Sequence, residues 1–371
     1  MNHLKKQMIT LMVSAVCNLK CEYCYVPRMK KIRKEHEKIN LDFAYAAIKD
    51  YFEQTNNYYI RFFGAGEPTL AFDEMVKIYD FSKSLAKGDL KTELQTNGNF
   101  NESIRDWINK NVDILWLSFD GLPELQNKQR PTKSGGDSSD AIIPNIMYFV
   151  DSTKRDENKH FGIRATITNG NFNKQVEIVE YLHSLGVKHV CVSPSYASTA
   201  NDGVPNPDVL EFSRRFVDAY KKAQEFGMSY QTHYIVNFFE EVTAYCRACV
   251  PAPHVTTDGY VSCCDWALFG EEYLPGVLQK LIYGKYDARS KAIIYSNETI
   301  NEIKRRNVTD TLGEGSCKNC AALRHCAGGC VGKTIVLSGD LYKPSKKWCS
   351  AARYLFNELP RCGNPPSCPH S

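Results

Sequence analysis

The sequence predicts an α/β protein in which a parallel barrel is followed by a small cysteine-rich region. Six short apolar runs alternate strictly with longer amphipathic segments between residues 8 and 227, as in a parallel sheet with crossover helices. No G-x-G-x-x-G fingerprint follows the first run, which favours a barrel over an open, doubly wound sheet. After about residue 240 cysteine, glycine and proline become frequent, and a length of 371 residues suits two domains. We therefore expect a barrel domain over residues 1–238 and a second domain over residues 239–371.

The apolar runs predict buried strands, because each is short and is flanked by turn-forming residues. They cover residues 8–13, 58–64, 91–98, 112–121, 160–169 and 188–196. The amphipathic segments predict helices at residues 41–55, 72–88, 102–111, 140–156, 172–186 and 207–227. The helical period is clearest after Phe172, where Val179 and Leu182 share one apolar stripe and Gly186 is the expected C-cap.

Charge and composition argue against several classes of partner. A net charge of +4, from 46 basic and 42 acidic residues, is too balanced for a protein whose main partner is nucleic acid or a membrane. No apolar stretch reaches the roughly 20 residues of a membrane helix, and the first residues lack the pattern of a secretory signal. These observations predict a cytoplasmic protein. Its 15 cysteines are then expected to be reduced and to act as ligands more than as disulfides.

Three cysteines directly after the first predicted strand, Cys17, Cys21 and Cys24, are spaced C-x3-C-x2-C. Chemistry collects at the carboxyl ends of parallel strands, where this loop is expected to lie. Thiolates suit zinc and iron–sulfur clusters, and three of them on a four-iron cluster leave one iron open. The triplet therefore predicts a metal centre that accepts an exogenous ligand.

With Tyr23 before its last cysteine, this triplet resembles the signature of the radical S-adenosylmethionine (SAM) superfamily. The resemblance implies a partial (β/α)6 barrel, a [4Fe-4S] cluster on the three cysteines, and SAM chelated to the open iron. It also implies that one electron from the cluster cleaves SAM to a 5′-deoxyadenosyl radical, which abstracts a hydrogen atom from the substrate. A reductant such as flavodoxin or ferredoxin would supply that electron.

Motifs at the ends of the following strands support the same resemblance. Residues 64–68, "GAGEP", resemble the family's GGEP turn, which binds the methionyl amino group, with Ala65 in place of a glycine. Thr96 and Asn97 are expected to meet the ribose hydroxyls, and Arg164 the methionyl carboxylate. The implied cofactor contacts are Tyr23, Gly64, Ala65, Gly66, Glu67, Thr96, Asn97, Ser118 and Arg164. Each motif alone is more simply a turn or a surface residue, and their succession after the cysteine triplet carries the interpretation.

A second array of cysteines, between residues 246 and 349, resembles the SPASM extension of radical enzymes that modify peptides and proteins. The resemblance implies two auxiliary [4Fe-4S] clusters, and therefore three [4Fe-4S] clusters in all. We call the two implied ligand groups the outer set, Cys317, Cys320, Cys326 and Cys349, and the inner set, Cys246, Cys249, Cys264 and Cys330. Cys263 competes with Cys246 for the fourth position of the inner set. Zinc is the alternative occupant, because C-x2-C spacing also occurs in zinc ribbons.

The remaining cysteines and one glycine have structural interpretations. Cys191, in the sixth predicted strand, is expected to pack as a small hydrophobic residue. Cys362 and Cys368 are expected to be free thiols in a frayed tail. Gly259 belongs to an Asp-Gly turn between two short strands, which would fold the inner ligands towards each other.

Asp265, directly after Cys264, suggests a reaction. Anaerobic sulfatase-maturating enzymes look similar here, with an aspartate that acts as base while a serine or cysteine is oxidised to formylglycine. An aspartate in a turn or a cap is the structural alternative. Gly64 and Val26 depart from that subfamily, which has a glutamine and an aromatic residue at these two points.

The sequence thus predicts a radical enzyme that abstracts hydrogen from a peptide or protein residue, leading to oxidation or crosslinking. A peptide with a leader would need a separate leader-recognition protein, and neither nucleic acid nor a membrane is an expected partner. Three alternatives stay open: formylglycine formation of the sulfatase type, radical modification of a small molecule, and a non-enzymatic iron–sulfur electron-transfer or zinc-binding protein.

Overall fold

Seven parallel strands, each paired with its neighbours along the chain, form the body of the molecule. The fold is that of a computed structural model, which describes residues 7–26, 31–196, 203, 205–232, 241–315 and 317–360. The strands are β1 (Ile9–Ser14), β2 (Tyr59–Gly64), β3 (Lys91–Thr96), β4 (Ile114–Ser118), β5 (His160–Ile167), β6 (His189–Pro194) and β7 (Ser229–Gln231). Their order does not reverse at any point, which distinguishes a barrel from a doubly wound sheet. The second neighbour of β1 is β8 (His254–Val255), so the barrel is open and the predicted partial barrel is confirmed.

Six of the helices lie at the places that the sequence predicts, and the others are additional. The helices are α1 (Leu41–Thr55), α2 (Phe72–Leu85), α3 (Glu102–Asn111), α4 (Pro123–Gln129), α5 (Ser139–Arg155), α6 (Gln175–Ser184), α7 (Val209–Glu225), α8 (Gly276–Gln279), α9 (Asn297–Lys304), α10 (Thr311–Glu314), α11 (Leu323–Cys326), α12 (Val331–Ser338) and α13 (Lys346–Glu358). Side chains of Asn40, Asn101 and Asp208 accept backbone N–H bonds and so cap α1, α3 and α7. Gly186 has φ of +82°, as the predicted C-cap of α6 requires.

The cysteine-rich region continues the same sheet. Beyond β8 lie β9 (Tyr260–Ser262), β10 (Ile282–Asp287) and β11 (Ala292–Tyr295), paired antiparallel in that order. The predicted Asp-Gly turn joins β8 to β9, and Gly259 has φ of +92° there. The predicted domain boundary at residues 238 and 239 lies outside the described residues. Strands β8 and β9 are too short to show a period-2 pattern, which is why the sequence did not predict that this region extends the barrel sheet.

The barrel strands are apolar towards the helices and polar towards the interior. In β2, Ile60 and Phe62 are fully buried in the core that includes Phe43 of α1 and Met75 of α2. Arg61 lies between them and therefore points to the opposite face, where it contacts Gln95 of β3. In the described part of the chain, no helix combines the length and the apolar character that crossing a membrane requires.

Candidate active site and cysteine sets

The cysteine triplet occupies the loop after β1, at the carboxyl end of the barrel strands. Cys17, Cys21 and Cys24 are each half-buried. The Cys17 Sγ accepts hydrogen bonds from the backbone N–H of Leu19 at 3.5 Å and from Nδ2 of Asn97 at 3.7 Å. Donors aimed at a sulfur stabilise it as a thiolate, the form that binds metal. The hydrogen bonds to the Cys17 sulfur therefore favour the thiolate form that would bind a metal.

A largely buried polar network around Tyr23 holds the cysteine loop to the barrel. The Tyr23 hydroxyl donates to Asp120 Oδ2 at 2.9 Å and accepts from Arg130 Nη1 at 2.6 Å. Asp120 also accepts the N–H of Thr166 on β5 at 2.9 Å. The hydroxyl of Tyr23, predicted as a cofactor contact, is therefore engaged in holding the loop to β4 and β5.

Arg130 places a positive charge beside the triplet. Burial raises the pKa of the Cys21 thiol to about 12, and the charge of Arg130 acts in the opposite direction. Burial also raises the pKa of Cys17, and the same guanidinium opposes that shift. Among the described residues the Arg130 Nε is buried without a hydrogen-bond partner. A buried cation with a spare donor next to three thiols fits an anionic thiolate-bound cluster.

The GAGEP turn after β2 is pressed against the cysteine loop. The N–H of Gly66 donates to the carbonyl of Ser14 at 2.9 Å, and the N–H of Glu67 to that of Val16 at 2.7 Å. A Cβ atom on Gly66 would lie 1.9 Å from the Val16 carbonyl oxygen, so only glycine fits this position. The turn and the metal-binding loop therefore form one unit.

Glu67 connects this unit to β3. Its buried carboxylate accepts from the Thr96 hydroxyl at 2.5 Å, from the Asn97 N–H at 2.7 Å and from the Thr69 hydroxyl at 2.8 Å. Burial raises the pKa of Glu67, although these hydrogen bonds oppose the shift. The Thr96 hydroxyl, predicted to meet a ribose, is thus committed to Glu67, while Nδ2 of Asn97 donates to Asn18 at 2.7 Å.

Ser118 and Arg164 lie side by side further along the rim. Ser118 is the last residue of β4, its register partner Arg164 lies within β5, and both side chains are half-buried. The structure therefore joins the triplet, Glu67, Thr96 and Asn97 through direct hydrogen bonds, and it places Ser118 and Arg164 on the neighbouring strands of the same edge.

Asp265 is held by basic side chains from other elements. Arg61 Nη1 lies 2.9 and 3.1 Å from its two carboxylate oxygens, and His254 Nε2 lies 2.9 Å from Oδ1. Burial alone would raise the pKa of Asp265, but Arg61 first and then His254 hold it well below the usual range. Asp265 is therefore a carboxylate at neutral pH, bonded to β2 and β8 through its side chain and not acting as the cap of a local turn. Its side chain is nonetheless 38% exposed, whereas those of Arg61 and His254 are 2% and 1% exposed.

The four cysteines of the inner set are neighbours. The Cys246 thiol hydrogen-bonds the Cys249 sulfur, which with Arg306 overcomes burial and lowers the pKa of Cys249 to about 6. Cys330 and Cys264 also act electrostatically on Cys246. Cys263 is fully buried, and it interacts electrostatically with both Cys249 and Cys264. Cys246 and Cys263 thus both lie near the other members of the set, and Cys246 as the fourth ligand stays a prediction.

The outer set is also assembled, around Cys326. Burial raises the pKa of Cys326 to about 12, and the thiols of Cys349, Cys317 and Cys320 add to that shift in this order. A pocket is lined by Cys326 and Cys349 of the outer set and by Cys330 of the inner set, and so lies between the two sets. No three His, Cys, Asp or Glu side chains in the described ranges converge closely enough to hold a single metal ion.

The other cysteines have simpler surroundings. Cys191 is buried on β6 with 2% exposure, as predicted for a core residue. Cys362 and Cys368 lie outside the described residues.

Few signals in the sequence point to the residues that organise this site. Arg61 lies in an apolar run that predicts a buried strand. An arginine at such a position indicates a buried ionic contact, and this was the signal available for it. Asp120 lies at the end of the predicted strand 112–121. Arg130 and His254 occur in no motif, and the residues that they contact are distant in the chain.

Comparison with known proteins identifies relatives along most of the chain. The Radical SAM superfamily profile matches residues 11–163. An uncharacterized protein of Methanocaldococcus jannaschii is 34% identical over 209 residues, covering 56% of this chain and 68% of that protein. A cysteine-type anaerobic sulfatase-maturating enzyme of Clostridium perfringens is 24% identical over 336 residues, 85% of this chain and 86% of that enzyme. The radical SAM cyclopropyl synthase TigE of Paramaledivibacter caminithermalis is 24% identical over 384 residues, 95% and 73% of the two chains.

Solved structures share the fold across nearly the whole chain. The protein anSMEcpe with bound AdoMet and the Cp18Cys peptide aligns with a TM-score of 0.70 at 17% identity, covering 95% of this chain and 96% of that one. SuiB of Streptococcus suis bound to the precursor peptide SuiA aligns with a TM-score of 0.64 at 17% identity, covering 92% and 75%. These likenesses extend past residue 240, so the fold is shared in the cysteine-rich region as well.

Proposed function

The chain belongs to the radical SAM superfamily, and we propose that it abstracts a hydrogen atom from a peptide or protein residue, leading to oxidation or crosslinking. The observation that carries this proposal is that three segments at the carboxyl ends of the strands, which we call the rim, are hydrogen-bonded into one unit. The three-cysteine loop, the GAGEP turn and the end of β3 are fixed to one another by short hydrogen bonds through Glu67. A scaffold or electron-transfer protein has no use for a rim of this shape.

Cys17, Cys21 and Cys24 would hold a [4Fe-4S] cluster, and the rim would hold SAM. Bound together, the two groups supply a carbon radical that removes hydrogen from a substrate. Arg130 would place its positive charge beside the ligating thiolates, and Tyr23 and Asp120 would fix the loop. Gly64, Ala65 and Gly66 would present backbone groups to SAM, with Thr96, Asn97, Ser118 and Arg164 around it.

The inner and outer sets would hold two auxiliary [4Fe-4S] clusters in a second domain of the SPASM type. Their thiols form two separate neighbourhoods, around Cys249 and around Cys326. These clusters would accept the electron released by the substrate radical or contact the substrate. Cysteines that act as ligands suit a reducing cytoplasmic setting, with ferredoxin or flavodoxin as the electron donor.

A peptide substrate is supported by the solved relatives, two of which hold peptides. Among peptide reactions, formylglycine formation is the second candidate, because Asp265 follows Cys264 and is ionised at neutral pH. In that reaction Asp265 would take the proton of the substrate radical as its electron leaves. Gly64 and Val26, where the sulfatase-type enzymes carry other residues, favour a different substrate residue or bond.

Anaerobic reconstitution tests the proposal. The protein is loaded with iron and sulfide, reduced with dithionite and given SAM with cysteine- and serine-containing peptides, and 5′-deoxyadenosine is quantified. We expect 5′-deoxyadenosine from the native chain and none from the Cys17→Ala, Cys21→Ala, Cys24→Ala triple variant. Asp265→Asn is expected to retain SAM cleavage and to lose peptide product. A fully iron-loaded protein that cleaves no SAM with any peptide, or cleaves it equally in the triple variant, contradicts the proposal.

A further inference from the structure

We infer that Arg306 is the shared counter-cation of the inner and outer cysteine sets, joining them and favouring reduction of the cluster that the inner set holds. The inference rests on the proposed function, in which each set binds an iron–sulfur cluster. It concerns a residue that belongs to neither set and to no sequence motif.

Arg306 is entirely enclosed, with 0% exposure, just after α9. Its Nε donates to the carbonyl of Leu341 at 2.6 Å, and its Nη2 to the carbonyl of Gly328 at 2.7 Å. Nη1 lies 3.6 Å from the Cys249 Sγ and 3.4 Å from the carbonyl of Ala327. Every nitrogen of the guanidinium is therefore used, so its position and orientation are fixed.

The charge of this guanidinium has no carboxylate partner among the described residues. The groups that act on it are instead the sulfurs of Cys249, Cys246 and Cys330. Burying a cation without an opposite charge is strongly unfavourable, and carbonyl dipoles compensate only part of the cost. Thiolates bound to an iron–sulfur cluster would supply that negative charge. The position of Arg306 is therefore explained when the sulfurs of the inner set are anionic.

The contacts of Arg306 span both sets. Cys249 belongs to the inner set, whereas Ala327 and Gly328 directly follow Cys326 of the outer set. Gly328 has φ of +73°, and a Cβ atom there would lie 3.0 Å from Arg306 Nη2. The backbone after Cys326 can therefore approach the guanidinium closely. Through these contacts the Arg306 side chain holds the two cysteine sets in position relative to each other.

A cation at this place favours the reduced form of a cluster. Reduction adds a negative charge, and hydrogen bonds to ligand sulfurs and local net charge set the reduction potentials of iron–sulfur clusters. Arg306 offers both to Cys249. Replacing it with a neutral side chain should make the inner cluster harder to reduce by a factor of about ten, equivalent to about 59 mV for one electron.

The test is a redox titration of the reconstituted full chain, followed by electron paramagnetic resonance. Signals of the auxiliary clusters are assigned with the Cys17→Ala, Cys21→Ala, Cys24→Ala variant. Arg306→Gln removes the charge, and Arg306→Lys keeps it without the planar fork. Arg105→Gln is the matched control, because Arg105 is a mostly buried arginine of α3 whose partners are Glu102, Asp106 and Tyr148. Iron and sulfide per chain are measured for each protein first.

We expect Arg306→Gln to shift one auxiliary potential downward by about 59 mV or more, Arg306→Lys to shift it less, and Arg105→Gln to leave it unchanged. If Arg306→Gln loses auxiliary iron, the lysine variant decides: iron retained by Arg306→Lys supports the counter-cation, and equal loss in both variants overturns it. Unchanged potentials in an iron-replete Arg306→Gln also overturn it. Should the native chain bind iron only at the triplet, the auxiliary clusters of the proposed function fail, and the inference falls with them.

Discussion

At the scale of single residues, Gly66 is where the cofactor turn meets the cysteine loop. A methyl group in Gly66→Ala would stand 1.9 Å from the Val16 carbonyl oxygen, so the backbone of one partner must move. Because Val16 precedes Cys17, we expect the variant to lose the iron of the catalytic cluster and with it the cleavage of SAM. Iron content and 5′-deoxyadenosine yield measure both effects.

The adjacent position supplies the control for Gly66. Ala65→Gly removes a methyl group that the turn already accommodates, so iron content and SAM cleavage should stay near those of the native chain. If Gly66→Ala retains its cluster, the backbone of the turn or the loop can move to accept the methyl group, in spite of the hydrogen bonds of Gly66 and Glu67.

Site residues could be predicted from the sequence where their own side-chain chemistry and spacing indicate a role. The cysteines were found from thiolate chemistry and spacing, and Asp265 from its place after Cys264. Arg61 was not found, because its bond to Asp265 joins residues 204 positions apart. Arg306 was missed for the same reason: it is 57 positions from Cys249, and only the folded chain brings the two together.

At the scale of elements, α13 decides whether the outer set is complete. This helix carries Cys349 and packs on α7, with Leu355 fully buried. Leu355→Ala should destabilise the protein by about 2–5 kcal/mol, because it leaves a cavity in that contact. We expect a lower thermal midpoint together with partial loss of iron.

Leu337→Ala on α12 is the matched substitution for Leu355→Ala. Leu337 is 50% exposed, so the same truncation should change stability by no more than about 0.5 kcal/mol. Equal effects of the two variants on the thermal midpoint would mean that the packing of α13 contributes little to holding the outer set.

Elements were predictable in proportion to their length. The six long strands and six long helices of the barrel leave full periods in the sequence, and the structure confirms their positions. Helix α4 has seven residues and β8 has two, which is too short for either period to appear. The sequence therefore showed the barrel and missed how the chain continues from it.

At the scale of the whole molecule, strand β8 makes the barrel and the cysteine-rich region one sheet. Thr10 of β1 pairs with His254 of β8, and its N–H donates to the carbonyl of Pro253 at 2.8 Å. Because β8 and β9 lie between Cys249 and Cys264, ligands of the inner set, loss of that set should loosen β8 and expose the edge of β1. A cysteine-rich domain that opened independently of the barrel would not respond in this way.

Hydrogen exchange of a Cys249→Ala, Cys264→Ala variant distinguishes these two views. We expect faster exchange in the peptide of residues 254–262 and also in that of residues 9–14, because β1 loses a hydrogen-bonded neighbour. Strand β6, residues 189–194, pairs with β5 and β7 and is the internal control, with exchange unchanged. Faster exchange confined to residues 254–262 would show that the cysteine-rich region opens on its own. Faster exchange in β1 as well would show that the auxiliary ligands stabilise the barrel that carries the catalytic loop.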